Sequence, residues 1–187
     1  MNISLRQRAA HGFTLIELLI VVIIIAILAA IAIPQFSNST ADAQEAALDA
    51  NLATVRSAIE LYRVQHSNVF PGANVSTGGN ANCTTAGGTA GTGALNTDVA
   101  TKEQMIMYSN SAGLTCSVTS KDFPYGPYMR AIPAEPIKNS NAIVVINGPM
   151  TNPVVGDVGW RYSLTSGQFA VNNLAVDRSG AKTYFAH

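Results

Sequence analysis

Basic side chains are absent from the whole stretch between Arg8 and Arg56, and charge of either sign is sparse throughout. Asp, Glu, Lys and Arg make up 12% of the 187 residues, 11 basic against 11 acidic, so the formal net charge is zero. That is about half the charged share of an ordinary globular chain. A chain this poor in cations has no basic stripe to lay along phosphates, and no nucleic acid partner is expected. Histidine is nearly as rare. His11, His66 and His187 stand far apart in the chain, and neither a catalytic triad nor a metal cluster assembles from them, so an enzyme is not expected. Cysteine occurs twice, at Cys83 and Cys116, which leaves room for a single bridge.

What is present is an apolar run from Leu18 to Ile33, entered through Gly12-Phe13-Thr14-Leu15-Ile16-Glu17. From Phe13 to Ile33 about 21 residues of helix rise roughly 31 Å, enough to cross a hydrocarbon core of about 30 Å. Glu17 lies one turn into this run, where a lone carboxylate costs on the order of 2.5–3.5 kcal/mol. Its own helix offers it only the Thr14 hydroxyl, so its partner is expected from another molecule. Arg6 and Arg8 precede the run, which keeps the leader cytoplasmic and sends the remainder outward. In an exported domain an even cysteine count reads as a disulfide rather than two free thiols. A Cys83–Cys116 bridge closing a loop of about 34 residues is worth roughly 3–4 kcal/mol on the chain-entropy account.

The basic leader ending at Gly12, then Phe13, then a carboxylate at the fifth position counted from Phe13, resembles the prepilin signal of the type IV pilin and type II secretion pseudopilin family. The resemblance implies cleavage after Gly12 by a membrane-embedded prepilin peptidase, N-methylation of the freed Phe13, and pairing of Glu17 with that amine on a neighbouring subunit. It implies as partners the protein itself as a homopolymer, the peptidase, the filament assembly machinery, and membrane lipid before assembly. The implied location is the bacterial inner membrane with the globular part outside the cytoplasm, then an extracellular pilus or a periplasmic pseudopilus. A different reading takes Ala30-Ile31-Ala32 as an ordinary secretory cleavage site that frees a soluble binding protein or enzyme beginning at Ile33. Glu17 argues against it, because an ordinary signal core has no reason to carry a carboxylate.

The expected fold class is α+β and type IV pilin-like, a long kinked N-terminal helix packed on a small C-terminal antiparallel sheet. The segments expected are a removable leader over 1–12, a membrane or filament-core helix over 13–33, an amphipathic half-helix over 34–70, and a globular head over 71–187. Pro34 removes a backbone donor, so a helix kink is expected there. Leu48, Leu52, Val55, Ile59 and Tyr62 recur at helical spacing between Asp49, Arg56, Glu60 and Arg63, so the helix resumes and ends near Ser67-Asn68. A helix from Phe13 to about residue 67 would be roughly 80 Å long, so half of it is expected to protrude from a small domain.

Gly72 to about Asn96 has almost no large apolar side chain and reads as a flexible surface insertion, stapled at Cys83. A short helix is expected over Thr101–Ser109, capped by Thr101 and stopped by Gly113. Residues 123–136 form a proline-rich connector, and its Tyr128-x-Arg130-x-x-Pro133-x-x-Pro136 pattern is similar to the segment that joins helix and sheet in major pseudopilins. Ala142–Ile146 reads as a strand. Trp160–Leu164 and Gln168–Val171 read as a hairpin about Thr165-Ser166-Gly167, and Lys182–Phe185 as an edge strand. Asp157 and Asp177 lie in C-terminal loops where pseudopilins of the resembled family hold calcium. Their spacing matches no calcium loop, so they are read as solvated turn carboxylates, with no cofactor and no metal expected.

Overall fold

The computed structural model describes residues 13–150, 153, 156–177 and 179–187, so the leader, with Arg6, Arg8, His11 and Gly12, lies outside the described residues. The chain divides into two compact units, the first ending at Ala41 and the second Asp42–His187. A single helix, α1, Leu15–Gln65, runs through both. The helix assignment continues across position 34, so proline there does not end it.

In the first unit the large apolar residues of α1 from Leu15 to Ile33 are all exposed, Val22 by 50% and Ile31 by 68%. The same helix changes character in the second unit. Leu48, Leu52, Val55, Ile59 and Tyr62 are buried to within 2% and form one stripe of the main core, with Met105, Ile132, Ile143, Trp160, Tyr162, Leu164, Phe169 and Val171 packed against it. The spacing of four and three that marks this stripe in the sequence is the repeat that keeps one helix face turned inward. Ser67 and Asn68, at φ of 54° and 65°, turn the chain out of the helix, and the Asn68 amide caps the Arg63 carbonyl at 2.9 Å.

After α1 come α2 (Asn80–Thr85), α3 (Asp98–Ile106), and the short antiparallel pair β1 (Tyr108–Ser109) and β2 (Thr115–Cys116). Then follow β3 (Ile143–Ile146), β4 (Trp160–Ser163), β5 (Phe169–Val171) and a 3-10 turn, Tyr184–Ala186. The hairpin lies where the alternation places it, Trp160 opposite Val171 and Tyr162 opposite Phe169. Gly167, at φ +68°, makes its turn, and a side chain there would also strike the Phe70 ring.

Four expectations change. The three-stranded sheet is mixed rather than wholly antiparallel, because β3 pairs parallel to β4, a pairing that a tight hairpin cannot make. Lys182–Phe185 is no edge strand. A single bridge, Val176 to Thr183, precedes the 3-10 turn, whose Tyr184 hydroxyl reaches Glu45 of α1 at 3.0 Å. The helix expected at Thr101 begins earlier, since Thr97 is the residue that caps α3, its hydroxyl accepting from the Ala100 amide at 3.1 Å. Thr101 instead is buried and donates back to the Thr97 carbonyl, and α3 ends at Ile106, before Gly113.

The fourth change concerns Gly72–Asn96, which carries structure despite its composition. The Glu103 carboxylate on α3 accepts from the Thr92 amide and hydroxyl, the Gly93 amide and the Ser76 hydroxyl. Gly93 lies so close to the Ala100 backbone that a Cβ would stand 2.3 Å from the Ala100 nitrogen. Backbone contact and a charged acceptor therefore supply the order that apolar burial does not.

Candidate functional site

Phe13 and Glu17 stand at the start of α1, and Phe13 is exposed by 77%. Thr14 is the N-cap: its hydroxyl accepts from the Glu17 amide at 3.3 Å, while the Glu17 carboxylate accepts from the Thr14 amide at 3.0 Å and the Thr14 hydroxyl at 2.8 Å. Thr14-Leu15-Ile16-Glu17 is thus a capping box, the reciprocal arrangement that satisfies two amides at a helix start. This corrects the expectation that the hydroxyl alone serves Glu17 within its own helix, since the Thr14 amide serves it as well. Both of those bonds fall on Oε2. The box takes the Thr14 amide and not the Phe13 nitrogen, so it does not consume an amine created at Phe13. Downstream, Leu15–Ile33 is long and apolar enough to cross a membrane.

Cys83 and Cys116 are joined, and with Phe123 they make a second small core under Tyr108, Leu114 and Val118. Pro34 lies within α1, and its side chain is outside the described residues. Asp177 is a turn carboxylate, accepting from the Ser179 hydroxyl at 2.7 Å and the Ala181 amide at 3.2 Å. The Ser179 bond is the main reason its pKa falls below the usual carboxylate range. Among the described residues no group of three or more His, Cys, Asp or Glu side chains converges as a metal site.

Residues 7–33 match the prokaryotic N-terminal methylation motif. The chain is 52% identical over 60 residues to a type IV narrow pilus major component of Thermus thermophilus, covering 32% of this chain and 52% of that protein. It is 57% identical over 49 residues to a type IV major fimbrial protein of Dichelobacter nodosus, covering 26% and 31%. A fimbrial protein of Pseudomonas aeruginosa is 51% identical over 54 residues, covering 29% and 35%. Over its N-terminal segment, the chain is similar to type IV pilins and carries their methylation motif.

The chain spans about half the length of the first of those relatives and about a third of the others. No solved structure matches it. The methylation motif itself ends at Ile33, while the likeness to these relatives, over 49 to 60 residues, is longer than the first unit.

Two features of the second unit escape sequence reasoning. His66, assigned only to a helix end, is 1% exposed and stacks on Tyr62 at 3.7 Å between ring centroids, with Tyr125 and Tyr128 edge-on. Its Nδ1 lies 2.9 Å from the Tyr62 carbonyl and its Nε2 3.1 Å from Ser109 Oγ. Burial pulls its pKa below the ordinary histidine value, partly opposed by backbone hydrogen bonds to Tyr62 and Asn110. Burial likewise lifts Tyr128 to about 12. A serine–histidine pair roofed by three tyrosine rings has no room for a substrate, and it serves to pin the end of α1. The second missed feature is the Glu103 clasp, because nothing in a lone glutamate on a short helix announces four converging donors.

Proposed function

We propose that this chain is a structural subunit of a type IV pilus-type filament. It is staged in the membrane by residues 13–33, cut between Gly12 and Phe13 by prepilin peptidase, N-methylated at Phe13, and polymerised through α1. The observation that carries the reading is the first unit of α1: an unbroken apolar surface that its own chain leaves exposed, interrupted by one carboxylate at the capped end. Each exposed Leu, Ile or Val forgoes about 1.5–3 kcal/mol of burial in water. Lipid or copies of the same helix provide that burial.

Glu17 then has two roles. While the subunit waits in the bilayer, the Thr14 amide and hydroxyl partly offset the cost of its charge. During assembly its remaining acceptor capacity meets the Phe13 amine of a neighbouring subunit, which fixes the stagger between helices. Pro34 marks the passage from the membrane half to the amphipathic half, and the Cys83–Cys116 bridge holds the exported head. The matching relatives are named as pilus and fimbrial components, which favours a pilus over a secretion pseudopilus and a structural role over a catalytic one.

Intact-mass and terminal-peptide spectrometry of protein purified from cell membranes tests this. The expected mature terminus is N-methylated Phe13; a terminus at Ile33 overturns the reading.

A further inference from the structure

Asn147 and Gly148 follow β3 directly, and no other asparagine in the chain is followed by glycine. The pairing of β3 with β4 ends beside them: the Leu164 amide donates to the Ile146 carbonyl at 2.9 Å, and the Ser163 hydroxyl donates to the Gly148 carbonyl at 2.6 Å. Those two bonds hold the flanking carbonyls and leave the groups between them untied. Asn147 is exposed, and among the described residues neither its side-chain amide nor the Gly148 main-chain amide makes a hydrogen bond. Because Gly148 has no Cβ, its nitrogen can approach the Asn147 side-chain carbonyl carbon without steric hindrance.

Other asparagines of the second unit lack this combination. Asn51, Asn74 and Asn172 donate their side-chain amides to the carbonyls of Ala134, Ala112 and Val158. Asn110 and Asn173 accept main-chain amides on their side-chain oxygens. Asn141, just before β3, is exposed like Asn147, but it is followed by Ala142, whose methyl group crowds the attacking nitrogen.

We infer that Asn147 is a site of spontaneous covalent modification, in which the Gly148 nitrogen closes a succinimide on the Asn147 side chain and water then opens it to aspartate and isoaspartate. The bond that forms joins the Gly148 nitrogen to Asn147 Cγ. The bond that breaks is Cγ–Nδ2, and this nitrogen leaves as ammonia with the proton given up by the Gly148 amide. Water, the one co-reactant, adds at Cγ to give aspartate or at the main-chain carbonyl carbon to give isoaspartate. Either product adds a negative charge at the end of an apolar strand. Isoaspartate also routes the main chain through the former side chain, and the added methylene shifts the Gly148 carbonyl from the Ser163 hydroxyl and frays the rung between Leu164 and Ile146. Each molecule thereby records its age as charge and as a loosened strand end. The inference does not rest on the filament reading, because every group in it belongs to the second unit.

Peptide mapping of the full-length protein in detergent tests it, after timed incubation at mildly alkaline pH, with isoaspartate told from aspartate by electron-transfer fragmentation. Both products are expected at position 147, at a rate about tenfold or more above conversion of Asn141. Gly148→Ala is expected to slow the conversion about tenfold. A Cβ at that position meets nothing within 4 Å, so the variant keeps its packing. Since the fold leaves both reacting groups untied, the native rate is expected to stay within about tenfold of that in the urea-unfolded chain. In converted protein the Leu164 amide is expected to exchange faster, with amides of residues 52–62 unchanged. Equal conversion at Asn141 and Asn147, wild-type conversion in Gly148→Ala, or a native rate more than about tenfold below the unfolded one overturns the inference. Aspartate at position 147 without isoaspartate does so too, because it means direct hydrolysis of the side chain instead of a succinimide.

Discussion

The first and second units contain two lengths of the same helix with opposite surroundings. Between Leu15 and Ile33 every large apolar side chain is exposed, whereas Leu48, Leu52, Val55, Ile59 and Tyr62 are buried under the sheet. The difference lies in the polar residues. The first length has only Glu17 and Thr14, at its start, so no face is distinguished and the whole surface asks for apolar company. The second interleaves Asp49, Arg56, Glu60 and Arg63 with the apolar stripe, which leaves one face for the core and the others for water. A helix of uniform apolarity is completed by lipid or by other helices; one with a stripe is completed by its own chain.

Truncations should separate the two lengths most sharply. Trp160→Ala empties the site of a fully buried indole whose Nε1 donates to the Pro133 carbonyl at 2.8 Å. A loss of about 3–5 kcal/mol in the unfolding of the second unit is expected by thermal or denaturant melting. Ile24→Ala, at a site 51% exposed, is expected to leave that same transition where it was. A comparable loss from both would mean that the first length of α1 is buried by its own chain after all.

Replacing Cys83 and Cys116 together by serine is the next largest change, about 2–4 kcal/mol. The loss should concentrate in residues 76–93, measured as faster amide exchange there than in residues 48–62. The Glu103 clasp is expected to keep part of the protection.

A smaller effect distinguishes the second unit by pH. Burial holds His66 below its ordinary value, so as pH falls the unfolded chain takes up that proton first. The contribution of His66 to stability is therefore complete above the unfolded-state value of about 6.5 and is lost as pH drops from there toward the folded-state value. The melting temperature of the second unit should fall over that window and flatten in His66→Phe.

Much of this molecule was legible because some of its physics is local. Phe13–Ile33 declares itself by length and hydropathy, the Leu48 stripe by its period, and the hairpin by alternation with a glycine where positive φ is needed. The misses depend on groups distant in sequence. Whether β3 runs parallel or antiparallel to β4 is settled by the path of the intervening chain, which no local pattern encodes. Gly72–Asn96 has too little apolar surface to order itself by burial, and its order comes from Glu103 and from glycines that let backbones touch. At the candidate site, Glu17 was recognised as anomalous from its position alone. That the Thr14 amide joins its hydroxyl in holding the carboxylate follows from the Thr-x-x-Glu spacing, a capping signature present in the sequence but outweighed there by the apolar run after it.

The central claim is that Glu17 guides assembly of subunits whose apolar helices complete one another. Its most direct test is the ratio of sheared, pelleted filament to membrane-retained mature subunit in cells producing wild type, Glu17→Gln or Glu17→Val, with cleavage after Gly12 checked in each. The account predicts normal processing in all three, a sharp fall in filament for Glu17→Val, and an intermediate value for Glu17→Gln. Wild-type filament yield from normally processed Glu17→Val would contradict it.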